Sequence, residues 1–216
     1  MDKIQPVIIH DQKEYLDTVD EQDRLTGVRK LRTEVHRDGD WHREVHVWVY
    51  KVAARMAPDV QGRDLSLLFQ LRGPHQETFP NCWDVSVGGH VEAGSAYLES
   101  ALKEMKEELG IEARPEELKK IIYRTKDVRD EHRSLLNRVF QTIFAYRYDG
   151  PLEALKLEKP AVAEVRFFTE EEMLNFPEQY GKGISMFPGE REYFQKVFGK
   201  VKEIVDHGTR NIEHIT

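Results

Sequence analysis

The 216-residue sequence predicts an α/β or α+β sandwich, with strands before and after a central helix and further helices at the end. Three observations lead there. Strand-like stretches lie both before and after one strongly patterned helical segment at 96–109, and further helical segments close the chain. Residues 43–52 alternate with large side chains in both directions, Val45, Val47 and Val49 one way and His46, Trp48 and Tyr50 the other, which marks a strand covered on both faces. A hydrophobic fraction of 39% beside a charged fraction of 33% describes a folded chain with a polar surface, long enough for one domain with a full core.

Residues 1–35 read as short strands and turns: 13–19 alternates weakly, 20–23 is a turn and 25–32 a second short strand. Residues 35–42 are polar and turn-like around Asp38 and Gly39. After the 43–52 strand comes a loop at 53–63, broken by Pro58 and Gly62, and then an apolar strand at 65–71. A loop with two prolines at 73–81 leads to a short strand at 83–87 that runs straight into Gly88 and Gly89, read as a tight turn before the helix. Gly110 ends that helix and Pro115 bars its continuation. Strands follow at 119–125, 135–146 and 164–168, with a charged loop at 126–133 and a polar loop at 153–160. Thr169 and Glu172 form a capping box that opens a short helix. Residues 188–207 suit an amphipathic helix with Tyr193, Phe194, Val197, Val201 and Ile204 on one side. The expected organisation is N-terminal strands and turns over 1–35, a core domain with its C-terminal helix over 36–207, and a loose tail at 208–216.

A net charge of −7 argues against nucleic acid as the main partner, because a polyanion wants a basic face. A small anionic substrate neutralised by a metal remains compatible. Cys82 is the one cysteine, so no intrachain disulfide can form. No stretch has the length and apolarity of a signal peptide or a membrane span, and the expectation is a cytoplasmic protein without a membrane partner.

The chemistry concentrates in residues 88–111, GGHVEAGSAYLESALKEMKEELGI. At roughly 100° per residue, Leu98, Ala101, Leu102, Met105 and Leu109 make an apolar stripe, and Glu104, Glu107 and Glu108 share one edge beside it. Like charges at this spacing repel. A hard divalent cation removes that repulsion, and Mg²⁺ favours carboxylate oxygens together with water and phosphate. On a generic helix the same residues would be a solvated acidic face; the glycine pair just before them favours a metal platform.

This stretch resembles the Nudix box, with Gly89, Glu104, Met105, Glu107, Glu108, Gly110 and Ile111 at the family's spacing. Two positions depart: Ser95 stands where the box has a glutamate and Lys103 where it has an arginine, a pair that mainly supports the loop–helix geometry. Ser95 is expected to cap the helix instead. His42 and Arg43 ahead of an apolar strand, the LLFQLR run at 67–72, Trp83 with Asp84, and the GHVEAG turn at 89–94 extend the likeness to the isopentenyl-diphosphate-isomerase-like branch, over residues from about 16 to 176. The resemblance implies a Nudix-type α/β/α sandwich with a mixed sheet, extra N-terminal strands and a C-terminal helix. It also implies a pyrophosphohydrolase that uses Mg²⁺, with Mn²⁺ as the alternative ion, to cleave a nucleoside diphosphate linked to another moiety. Isomerisation is disfavoured, since the isomerase has a catalytic cysteine where this chain has Gly88. A catalytically weak nucleotide-binding module is the other alternative, motivated by Ser95 and Lys103. The isomerase's metal-binding histidines have near counterparts in His36, His42 and His90, but the simplest role of His42 and His90 is to hydrogen-bond the turn.

The metal ligands implied are Glu104, Glu107, Glu108 and a Gly88 or Gly89 carbonyl, with the three glutamates also the catalytic set. The general base is left among a box glutamate, Glu131, Glu158 and Glu164. Arg72, Arg43 and Lys103 are the candidate phosphate-binding cations; Trp48, Tyr50 and Phe140 are read as core. A homodimer contact through the N-terminal strands is an expectation of the branch.

Overall fold

The structure is a computed structural model that describes residues 14–54, 63–76, 78–130, 135–178 and 183–213. Its sheet is organised on β3 (Trp41–Ala54), the alternating strand of the sequence. The N-terminal half of β3 pairs antiparallel with β6 (Val87–His90) and parallel with β8 (Leu135–Arg147); its C-terminal half pairs antiparallel with β4 (Arg63–Arg72). β4 carries β5 (Cys82–Asp84) and β9 (Val162–Thr169), β8 carries β7 (Lys119–Asp130), and β10 (Ser185–Met186) adds parallel to β5. β1 (Tyr15–Val19) and β2 (Leu25–Leu31) form a hairpin that joins β3 at Val19 and Trp41.

The alternation of β3 sorts the core into two layers. Val45, Val47 and Val49 pack with Ala101, Met105 and Leu109 of α2 (Tyr97–Leu109). Trp48 and Tyr50 pack with Phe69, Phe168, Phe194 and Val197, the last two from α4 (Arg191–Glu213). Trp48, Phe69 and Phe194 meet edge-on at 4.9–5.4 Å, so the quadrupoles of the rings as well as their area hold this layer. The result is the α/β/α sandwich with a mixed sheet that the family resemblance implies. Where β3 passes from β6 to β4, the Val49 N–H donates to Ser86 Oγ at 2.9 Å and that hydroxyl donates to the Leu68 carbonyl at 2.5 Å, so a buried side chain completes the ladder.

Several expectations are corrected. Residues 32–38 form a helix, α1 (Arg32–Asp38), rather than a polar turn: Glu34 accepts from the Leu31 N–H at 3.1 Å and Val35 is wholly buried. β7 continues through Lys126 to Asp130, since eleven register pairs with β8 outweigh its charge. Gly88 and Gly89 lie within β6 and not in a turn; the bend is at 91–95 and is braced from β1, by the Ala93 N–H to the Tyr15 carbonyl and the Gly94 N–H to Asp17 Oδ2. Ser95 does not cap α2. Ala96 is the N-cap residue, and its N–H donates to Glu99 Oε2 at 2.9 Å. Gly110, in the left-handed region at φ 69°, closes the helix with its N–H on the Lys106 carbonyl. α3 (Glu170–Asn175) is capped by Thr169 as expected, and α4 runs on to Glu213, past the end expected at His207. Among the described residues, no helix is long and apolar enough to cross a membrane.

Candidate active site

The apolar stripe of α2 sets the helix against β6 and turns its glutamates toward the glycines. A methyl group on Gly89 would overlap the Glu104 carboxyl, so glycine here is a space requirement. Glu108 accepts from the Gly88 N–H, while its Oε2 is enclosed and has no hydrogen-bond partner. Burial pushes the Glu104 carboxyl up to about 7; Lys103 opposes the shift, and Glu107, Glu14 and Glu158 add to it. Glu108 is driven well above the usual carboxylate range, first by burial and then by Glu104 and Glu158, against the Gly88 hydrogen bond and Arg72. Two carboxyls enclosed with too little countercharge fit a divalent cation by donor chemistry, hard oxygens with one oxygen unused. Glu107 stands apart, half exposed, with Lys103 Nζ at 3.5 Å.

The two departures from the box are explained by a third residue. Lys103 Nζ binds Glu92 Oε1 at 2.5 Å, so Glu92 supplies the carboxylate that Ser95 lacks. Lys103 therefore braces the bend at 91–95 against α2. Arg43 is likewise committed: its Nε reaches Asp23 Oδ1 and its Nη2 the Asp23 carbonyl, both at 2.6 Å. Arg72 contacts Asp84 at 3.4 Å and the Thr78 carbonyl at 3.0 Å, and its field reaches Glu108. Of the three cations, Lys103 acts on Glu104 and Arg72 on Glu108, while Arg43 acts on neither.

Among the base candidates, Glu158 is exposed, and its N–H donates to the Glu108 carbonyl at 3.0 Å. Glu164 is exposed on β9 opposite Leu71, and Glu131 lies outside the described residues. Trp48, Tyr50 and Phe140 are core, as expected.

The opposite face of β6 carries the three histidines that the resemblance sets beside the isomerase's metal-binding ones. There His36 of α1, His42 of β3 and His90 of β6 bring ring nitrogens within 4.8 Å of one another. His36 Nε2 lies 3.3 Å from both His42 Nε2 and His90 Nε2. His42 Nδ1 faces the Asp40 carbonyl at 3.1 Å, which fixes the proton there and leaves Nε2 as a lone pair. One His36 nitrogen has a single proton or lone pair and cannot serve both neighbours. Burial holds His36 down at about 3, with His42 and Arg32 adding to it, so protonation does not relieve the conflict. A metal ion accepting all three lone pairs would, and Glu44 Oε1, 3.5 Å from His90 Nε2, is a fourth donor. Hydrogen-bonding the turn, the role expected of His42 and His90, misses this convergence. The signal was present: His42, Glu44 and His46 share a strand face by period two.

Glu44 accepts from Gln141 Nε2 at 2.6 Å and Asn137 Nδ2 at 3.3 Å, and His46 Nδ1 meets the Tyr193 hydroxyl at 2.8 Å. This row, with Arg124, Lys126 and Glu190, was not foreseen. Its members sit on β3, β7, β8 and α4 and at Glu190 just ahead of α4, and the β3–β8 and β7–β8 registers bring the strand residues together.

A sandwich whose central helix presses paired glutamates under a diglycine strand defines a class of metal-assisted phosphoric anhydride hydrolases. The NUDIX domain model matches residues 49–187. A Nudix hydrolase of Clostridium acetobutylicum is 34% identical over 175 residues, covering 80% of this chain and 78% of that protein. Nudix hydrolase 3 of Arabidopsis thaliana is 34% identical over 166 residues, covering 76% of this chain, which spans 20% of that protein's length. A crystal structure from Deinococcus radiodurans superposes with a TM-score of 0.57 at 24% identity, covering 85% of this chain and 98% of that one, a likeness of fold. The chain belongs to the Nudix hydrolase family, whose members are pyrophosphohydrolases that generally use divalent cations.

Proposed function

We propose that this chain is an Mg²⁺-dependent pyrophosphohydrolase acting on a nucleoside diphosphate linked to a second moiety. The observation that carries this reading is the Glu104–Glu108 pair, enclosed under Gly88 and Gly89 with one oxygen orphaned. Glu104, Glu108 and the Gly89 carbonyl would hold the ion, with Glu107 joining from the exposed edge and Mn²⁺ as the alternative. Bound there, the ion would neutralise phosphate charge and lower the pKa of a water nucleophile. The Gly88 N–H holds Glu108 in one orientation, and the packing of α2 excludes bulk water from its inner oxygen. Arg72 would bind the phosphate beside this pair. Glu158 is the favoured base outside the box because its backbone is tied to Glu108. A cytoplasmic protein is the corresponding setting, with the working domain running from residue 36 to the end of α4 at Glu213. The edge strand β2, with Leu25 and Val28 exposed, is the place for a homodimer contact.

The isomerase-like alternative is weaker because Gly88 offers no side chain for proton transfer to an alkene. One assay separates the readings: purified protein with Mg²⁺ against nucleoside triphosphates, ADP-ribose, sugar nucleotides, coenzyme A and isopentenyl diphosphate. Release of phosphate or a monophosphate supports hydrolysis, and binding without turnover at any metal concentration removes it. An allylic product without phosphate release would restore the isomerase.

A further inference from the structure

The bend at 91–95 joins the two halves of the carboxyl site. β6, with Gly88 and Gly89, runs into it, and α2, with Glu104 and Glu108, leaves it. The shape of the bend therefore decides how the helix stands against the glycine strand. From within, the bend is closed by the Ser95 N–H on the Glu92 carbonyl at 3.0 Å and by the Glu92–Lys103 ion pair. That pair is close to half exposed, so water screens it and its hold is weak.

From outside, β1 lies along the bend as a further strand. Leu16 pairs antiparallel with Glu92, the Ala93 N–H donates to the Tyr15 carbonyl at 2.8 Å, and the Gly94 N–H donates to Asp17 Oδ2 at 2.7 Å. Leu16 is buried, so β1 is anchored and serves the bend as a fixed reference. The first two contacts are main-chain ones that any residue could make; the third depends on the side chain at position 17. Gly94 sits in the left-handed region at φ 87°, and its N–H leaves the bend toward β1. Asp17 is oriented to meet it. Arg29 stands opposite on β2, and its Nε donates to Oδ1 at 2.9 Å, which leaves Oδ2 to Gly94. The same guanidinium closes over the glycine, since a β-carbon there would stand 3.4 Å from Nη2. A carboxylate accepting from a main-chain N–H makes the stronger, charge-assisted kind of hydrogen bond.

We propose that Asp17 is a positioning residue for the metal-binding carboxyls, fixing the bend from β1 and with it the placement of Glu104 against Gly89. The proposal rests on the pyrophosphohydrolase reading and deepens it: a residue ahead of the segment that the NUDIX domain model matches sets how tightly the box glutamates hold their ion.

The test is calorimetric titration with Mg²⁺ alone of the wild type and the Asp17→Ala and Asp17→Asn variants, with melting temperatures alongside. Mg²⁺ is the probe because it prefers oxygen donors, so the histidine cluster takes it poorly. Asp17→Ala removes the acceptor and should weaken Mg²⁺ binding about tenfold. Asp17→Asn gives up the Arg29 pair but keeps an oxygen for the Gly94 N–H, and should stay within about threefold of wild type. In turnover of whichever diphosphate the wild type hydrolyses, Asp17→Ala should need about tenfold more Mg²⁺ for half-maximal rate, with KM for that substrate unchanged at saturating Mg²⁺. Equal Mg²⁺ affinity across the set overturns the proposal, whatever the melting temperatures, because it marks a purely structural contact. So does Asp17→Asn binding as weakly as Asp17→Ala, which would assign the effect to the Arg29 pair. If Asp17→Ala does not fold, Asp17→Val, which suits a strand and also lacks an acceptor, decides in its place. A wild type that binds no Mg²⁺ overturns the proposal together with the metal-dependent reading. A wild type and variants that bind Mg²⁺ in the expected order but hydrolyse no diphosphate would sink the hydrolase reading and leave the role of Asp17 standing.

Discussion

On the α2 face of β6, Glu104 and Glu108 are crowded together, with Lys103 opposing the first and Arg72 the second. On the α4 face, Glu44 accepts from Gln141 and Asn137, and Arg124 and Lys126 share Glu190. One face is left wanting a cation; the other is largely balanced by the chain, apart from three histidines that converge on one another. The same short strand can carry both because its residues alternate: Gly89 faces Glu104, while Gly88 and His90 face the histidine side. The lesson is that a charged side chain with a good partner is poor evidence of a site, and an enclosed one without a partner is good evidence.

The largest effect expected from breaking this contrast is in Glu108→Gln. Removing a metal-holding oxygen should lower kcat/KM by roughly a thousandfold or more, read by phosphate release. The same change removes an enclosed charge, so the metal-free protein should melt higher than wild type; a fall in both quantities would mean the carboxylate is structural. Gly89→Ala should come next. It forces the Glu104 carboxyl aside, at about 1–3 kcal/mol of stability by chemical denaturation, with a loss of metal-dependent turnover.

The two faces should also answer acid in opposite directions. Glu104 has a raised pKa in the fold, so the metal-free protein binds protons more readily than the unfolded chain and gains stability as pH falls from above about 7 toward 4.5. His36 has a lowered one, so stability is lost as pH falls from 6.5 toward about 3. Melting curves of Glu104→Gln and His36→Gln across this range should each flatten one limb, and identical profiles would dismiss the assignment. If the histidine cluster takes a transition metal, Co²⁺ added to wild type should give visible d–d absorption that His36→Ala abolishes and Glu108→Gln leaves in place. The smallest effect belongs to Lys103→Arg. The pair with Glu92 is close to half exposed, such pairs contribute at most about 1 kcal/mol, and the longer fork can keep the contact. A large loss of activity would show that Lys103 touches substrate.

How far the sequence could be read follows from the kind of interaction. Most of the longer strands, α2 and both faces of β3 were legible because period and burial are local properties of sequence, whereas β6, the end of β7 and β10 were not. The carboxyl pair was legible because Glu104 and Glu108 lie one helical turn apart. Glu92 as the partner of Lys103 was not, because Ser95 occupied the expected position and the substitute comes from the bend before it. The three histidines were named by the resemblance, but their convergence, like that of Arg124, Gln141 and Glu190, depends on which elements become neighbours, and the parallel partners of β3 and β8 lie nearly a hundred residues apart in the chain. The helix at 32–38 was missed because its seven residues are polar on all but one side and are held by tertiary burial of Val35.

The segment that the family model matches begins at residue 49, within β3, while the strand itself starts at Trp41. On the N-terminal side of that point stand His36, His42, Glu44 and the strand that steadies Ala93 and Gly94. A protein shortened to the shared segment would lose the half of β3 that both β6 and β8 lie against, and so would lose the wall of its own active site.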